Sequence, residues 1–284
     1  MFTGARRLTL KEVLAKNIKL PACPGVTAKL APLLAQADCE GDKVSKIVSS
    51  DPSLTTQVLK VANSAFYGMP RRLRSVDEAI VRLGFREISS IVSALEAKTL
   101  FKSTEPKWSG FNEALYLHVL ATAILVKALG KRINPAFCDA FFTAGMLHDL
   151  GKLILQQYDP NYMTLCGAGA IHGSALCVLE EKTYGTTHAM IAGELLRFWN
   201  LPETLVKLVE GHHDRVAEGD RVENVRSMVN AANDIAHVVA PLGAKEISFN
   251  LALPDQLLRV AGLDLRSWAM VGVDCQRSLG ALIS

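Results

Sequence analysis

No Cys-x-x-Cys pair occurs among the six cysteines (Cys23, Cys39, Cys138, Cys166, Cys177, Cys275), so neither a zinc ribbon nor a thiol redox motif is present. A reducing cytosol is the simplest setting for such thiols. A surplus of one charge is lacking too. The 31 lysines and arginines face 28 aspartates and glutamates, and a net charge of +3 is too small for a nucleic-acid-binding surface. Sustained apolar–polar alternation and hairpin turns are missing, which argues against a sheet. Arg6, Arg7, Lys11, Glu12 and Lys16 interrupt the N-terminus and leave no apolar segment for a signal peptide. The long uncharged stretch from Pro160 to Leu179 contains Asn161, His172, Ser174 and three glycines, which makes it a poor membrane span. Neither nucleic acid nor a membrane is expected as a partner, and the expected location is cytoplasmic.

What the sequence does have is apolar residues at helical spacing. With 284 residues, 49% of them hydrophobic, the chain can bury a core as one large domain or two small ones. After a short amphipathic pattern in residues 1–19, Leu20-Pro21-Ala22-Cys23-Pro24-Gly25 forces an extended or turning segment. A helix around Thr27 to Ala37 follows. Asp42 is read as the cap of the next, and Asp51-Pro52 as N-cap and first position of another that ends in Ala62 to Gly68. The basic loop Pro70-Arg71-Arg72-Leu73-Arg74 reads as solvated. Ser75 and Glu78 have the form of a capping box, and Gly84 closes that helix. A further helix runs from Phe85 to about Phe101, and the polar stretch Lys102 to Lys107 marks an internal seam.

Beyond the seam the spacing predicts a helix from about Phe111 to Leu129, stopping at Gly130. Next comes one apolar helix from Phe141 to Leu155 with His148 and Asp149 at its centre. Leu176, Val178 and Leu179 mark another. Thr186 or Thr187 caps a helix through His188, Ile191, Leu195, Leu196 and Phe198. Pro202 starts the one that brings His212 onto the side of Leu205, Leu208 and Val209. Val225 to Val239 form a stripe with Asp234 at its margin, and residues from Pro254 onward, including Leu257, Leu258, Leu263 and Trp268, form one or two packing helices. The expected fold is all-α.

A buried His148–Asp149 pair without partners would cost several kcal/mol, on the order of 5, so other polar groups or a cation must meet it. His118, His148, Asp149, His188, His212, His213 and Asp234 are the candidates, most of them in or beside apolar helices. Imidazoles and carboxylates suit divalent iron, manganese or zinc.

Taken together, these residues resemble the HDOD family, a branch of the HD-domain metal-dependent phosphohydrolase superfamily. The marks are Leu20-Pro21 with Pro24, Asp51-Pro52-Ser53-Leu54, Ala62-Asn63-Ser64-Ala65-Phe66-Tyr67-Gly68, Ser75-Val76 with Ala79-Ile80, and Leu83-Gly84. The second half supplies His148-Asp149-Leu150-Gly151-Lys152, His188 with Gly193, Trp199-Asn200-Leu201-Pro202 and His212-His213. The resemblance spans about residues 12 to 245. It implies an HD-domain-like multi-helix bundle with an N-terminal helical HDOD portion (about 12–105), an HD-like metal-binding core (about 106–245) and C-terminal packing helices (246–284). It also implies a bacterial cytoplasmic setting and a signalling role through regulatory protein partners.

HDOD proteins commonly resemble HD domains whose catalytic centre has decayed, yet here each HD ligand has a match. These are His118, the His148–Asp149 pair, His188, the His212–His213 pair and Asp234. In the related HD-GYP branch such a set holds two or more ions. Asp149 and Lys152 would then be the catalytic residues of a phosphohydrolase acting on a nucleotide, cyclic nucleotide or other phosphate ester, with Lys152 meeting a phosphate oxygen. After His213-Asp214 the chain continues Arg215-Val216-Ala217-Glu218-Gly219-Asp220, without Gly-Tyr-Pro, which argues against cyclic di-GMP hydrolysis. Regulation is the favoured reading and hydrolysis its rival.

Overall fold

The structure, a computed structural model, describes residues 7–16, 18–34, 40–64, 67–102, 105–133, 138–166, 171–214, 225–240, 246–249, 253, 255, 258 and 261–283. Ala37, Cys39, Ala65, Phe66, the segment Arg215 to Asp220, Pro254, Leu257 and the Val225 side chain lie outside the described residues. Among the described residues there is no strand, and the fold is all-helical.

The helices are α1 (Leu10–Ala15), α2 (Gly25–Leu34), α3 (Gly41–Ser49), α4 (Pro52–Ala62), α5 (Val76–Leu83), α6 (Phe85–Phe101), α7 (Pro106–Ile133), α8 (Cys138–Leu147), α9 (Leu150–Tyr158), α10 (Tyr162–Leu165), α11 (Gly173–Tyr184), α12 (His188–Phe198), α13 (Glu203–Glu210), α14 (Val225–Val239) and α15 (Leu265–Ile283). α2 to α6 pack on one another, while α8 is wrapped by α7, α6, α13 and α14. α15 lies on α7 and touches α4 and α6. One apolar cluster runs from Leu8 to Leu282.

Local signals explain several of the helix ends. Asp51 accepts a hydrogen bond from the Leu54 amide with Pro52 at the first helical position, and Gly84 ends α5 at φ 83°, open to glycine without strain. Ser75 accepts from the Glu78 amide, but the return bond of the expected box goes one residue further back, from the Arg74 amide to Glu78. A complete box forms instead between Thr9 and Glu12. Asp42 does not cap α3, because the N-cap is Glu40 and Asp42 sits inside the first turn.

Two corrections concern the core. α7 does not stop at Gly130 but runs 28 residues to Ile133, its flanks held by α8, α14 and α15, so tertiary packing overrides one glycine costing about 1 kcal/mol. Its segment Pro106–Lys131 is long and apolar enough to cross a membrane, yet 78% of its most apolar window is buried within the bundle. The expected single helix over Phe141–Leu155 is two helices, α8 and α9, and His148 and Asp149 form the turn between them. Asp149 is the N-cap of α9, at φ −99° and ψ 8°, and gives it no side-chain cap bond. That frees its carboxylate to face inward.

Candidate metal centre

The chain turns toward the same point at the ends of two helices, and each time a histidine terminates the turn. His148, just past α8, puts Nδ1 2.8 Å from the Gly145 carbonyl, and His212, just past α13, puts Nδ1 2.6 Å from the Val209 carbonyl. Each ring satisfies a carbonyl left open by the last helical turn. Since a carbonyl only accepts, Nδ1 is the N–H in both, and the bare Nε2 points the other way.

His188 arrives differently, at the start of α12 with Thr187 as N-cap. Its backbone N–H donates to Glu180 Oε2 at 2.9 Å and its Nδ1 to the same oxygen at 2.7 Å, again leaving Nε2 bare. The other oxygen, Oε1, accepts from the Tyr162 hydroxyl at 2.5 Å. Glu180 is fully buried on α11, and sequence reading did not single it out. A signal was available. Glu180 follows Leu176 by four residues and precedes Tyr184 by four, so a carboxylate stands on that helix's buried stripe, whereas Val178 is 68% exposed.

Asp149 lies among four of the imidazoles. Its Oδ1 is 3.3 Å from His188 Nε2 and 3.7 Å from His212 Nε2, and its Oδ2 is 3.4 Å from His148 Nε2 and 3.7 Å from His118 Nε2. His213 Nε2 stands 3.0 Å from His188 Nε2. The donor atoms form two groups, each within a 4.8 Å span, that share Asp149. One holds Asp149, His188, His212 and His213, and the other His118, His148 and Asp149. Donors about 2.1 Å from a common ion stand about 3.0–3.5 Å apart, close to the spacings here.

The fit to a cation rests on orphaned atoms. His148 Nε2, His212 Nε2 and Asp149 Oδ1 are buried without a hydrogen-bond partner, which is costly unless something positive meets them. Ligands must be deprotonated to bind metal, and burial favours the neutral ring at three of the histidines. Burial pushes His118 down to about 3 and holds His212 and His213 well below the usual imidazole range. Burial alone would raise Asp149, but His148 and Lys152 hold its carboxyl well below the ordinary value. His188 is the exception. Burial works against its charge, but Glu180 prevails and raises it, so proton and cation compete for Nε2.

Two sequence candidates sit differently from expectation. Lys152, 1% exposed, donates to Asp149 Oδ2 at 2.7 Å, because a buried ammonium one turn along α9 needs a countercharge. Asp234 lies outside both donor groups, half-buried on α14, and burial pushes it up to about 6. Its neighbour Asn233 reaches the centre instead, with Oδ1 2.8 Å from His118 Nε2. His237, one turn on, stacks on His118 with ring centroids 4.3 Å apart, and His172 stacks on His237 at 3.9 Å. Successive helical residues are about 100° apart, so only one of Asn233 and Asp234 can face α7.

The HDOD domain family matches residues 20–215. A protein of Treponema pallidum (strain Nichols) is 25% identical over 215 residues, 75% of this chain and 41% of that protein, so the chain spans less than half of that relative. Among solved structures, an HDOD domain protein of Geobacter sulfurreducens has a TM-score of 0.70 at 23% identity, covering 95% of this chain and 87% of its own. A proposed phosphohydrolase of Shewanella amazonensis has a TM-score of 0.66 at 25% identity over 95% of this chain and 97% of its own. Helical architecture, motif order and the family match over residues 20–215 agree, and the chain belongs to the HDOD domain family.

Proposed function

We propose that this protein is an HDOD-type regulator whose imidazole–carboxylate cluster holds divalent iron, manganese or zinc. One ion would lie among Asp149 Oδ1, His188, His212 and His213. A second would lie on the Oδ2 side with His118 and His148, where it must share Asp149 with the Lys152 ammonium. The observation that carries regulation over turnover is burial. His118, His148, Asp149, His188 and His212 are 0% exposed and Lys152 is turned onto Asp149, whereas hydrolysis needs an ester and water to reach the ion. The centre then serves as a structural or sensing element, and the N-terminal part, about residues 12–105, carries the output to a regulatory protein partner in the cytoplasm. Residues 246–284 brace the core.

A phosphohydrolase is the second reading, favoured by the donor set on both oxygens of Asp149 and by the partial exposure of His213. Elemental analysis of protein purified without added metal, combined with phosphate release from nucleotides and cyclic dinucleotides, separates the two. The expected result is at least one metal per chain and no release above the His148→Ala and Asp149→Ala controls. Turnover abolished in those controls would replace regulation by hydrolysis, and protein native without metal would remove the centre.

A further inference from the structure

Away from the metal centre, a cavity of about 660 Å³ opens where residues 18–24 meet the end of α6, the start of α7 and the face of α9. That volume lies within the range of small-molecule sites, about 300–1,000 Å³. Two amide side chains lie in its wall. Asn112 is 5% exposed and Gln156 2%, and Gln156 Nε2 donates to Asn112 Oδ1 at 2.8 Å. Gln156 Oε1 is left buried without a partner, an acceptor waiting for an N–H. The Trp108 indole lines the same space, and exposed Lys19 and Lys102 line it with no carboxylate recorded against either among the described residues. Two carboxylates stand in the wall as well, the exposed Glu105 and Glu96, of which Glu96 spends both oxygens on the first amides of α2, accepting from Val26 at 3.0 Å and Thr27 at 2.6 Å. Its charge therefore answers a helix N-terminus and opposes an incoming anion less than a free carboxylate would.

We propose that this cavity binds a nucleoside monophosphate. The base would lie against Trp108 and give an N–H to Gln156 Oε1, and the phosphate would reach Lys19 and Lys102. An aromatic wall, an amide edge and nearby ammonium groups are the features that recognise a stacked base and its phosphate. Position gives the site a consequence. Gln156 lies one turn after Lys152 on α9, and Lys152 holds Asp149, so a ligand bearing on Gln156 bears on the helix that begins at the metal centre. The inference names the input to the proposed regulator and rests on that reading only for this consequence.

The test is titration of the 284-residue chain with AMP and GMP by calorimetry, with metal content measured on the same samples. Saturable binding with a Kd below about 1 mM is expected. Gln156→Leu should weaken it about tenfold or more and the exposed Lys102→Ala about three- to tenfold, with metal content unchanged in the latter. Removing the phosphate, with adenosine or guanosine as probe, should weaken wild type but cost Lys102→Ala nothing further at that contact. Neither nucleotide binding at 1 mM, or binding indifferent to both substitutions, overturns the proposal. Metal without nucleotide binding sinks this inference alone, and nucleotide binding without metal sinks the metal reading alone.

Discussion

Glu180 shows how one side chain can set the chemistry of another. Its Oε2 takes both the backbone and the ring N–H of His188 while Tyr162 holds Oε1, so the imidazole can neither rotate nor change tautomer cheaply. The buried glutamate is held below its ordinary value because His188 outweighs the opposing effect of burial. Glu180→Gln keeps the shape and removes the charge. We expect metal affinity to fall about 10–100-fold in competition against a chelator, with Tyr162→Phe having a smaller effect in the same direction. Unchanged affinity in Glu180→Gln would mean that His188 is oriented by something else. At this scale the sequence was partly informative. Histidines inside apolar runs announce themselves, whereas Glu180 and Asn233 look like ordinary helix residues until the facing helix is known.

Between elements, the site depends on how closely helices approach. A Cβ on Gly151 would collide with the carbonyl of His188, so α9 and α12 touch through backbone where two proposed ligands begin. Gly145 likewise brings α8 against α7, where a Cβ would stand 2.5 Å from Ala123 Cα. Gly151→Ala is therefore expected to separate α9 from α12, costing about 1–3 kcal/mol in denaturant unfolding and lowering metal content. A metal-replete variant of wild-type stability would show that the helices can part without disturbing His188. Helix existence was legible from periodicity, but the break at His148–Asp149 was not. Apolar residues continue at helical spacing on both sides, and the turn exists because the histidine ring takes the Gly145 carbonyl and the carboxylate faces other helices.

Across the whole molecule, the two sides of the Lys102–Lys107 seam are joined by polar groups as well as by the common core. Lys127 on α7 donates to Glu87 on α6 at 2.9 Å and to Ser90 at 2.6 Å, and Tyr67 donates to the other Glu87 oxygen at 2.9 Å. Burial alone would raise the Glu87 carboxyl, but Lys127 and Tyr67 outweigh it and hold it below the ordinary value of 4.5. A depressed folded value means the stabilisation is present above that pH and is lost as pH falls through the folded value. With Glu87 26% and Lys127 12% exposed, solvent screening discounts the pair to about 1 kcal/mol. Denaturant unfolding should therefore find Glu87→Gln less stable by about that amount at pH 7, with the gap closing as pH falls below 4.5 through the depressed folded value. A gap independent of pH would mean that the residue acts through shape and not charge.

The sequence by itself determined the helical class, several helix ends and the residue types at the centre. Periodicity, caps and prolines act over one or two turns and are written into neighbouring residues. Tertiary structure decided which donors meet, because that depends on crossings between helices far apart in the chain. A one-residue step along α14 turns a side chain by about 100°, bringing Asn233 and not Asp234 to His118. The same crossings turned Lys152 inward onto Asp149 and gave His188 its buried carboxylate.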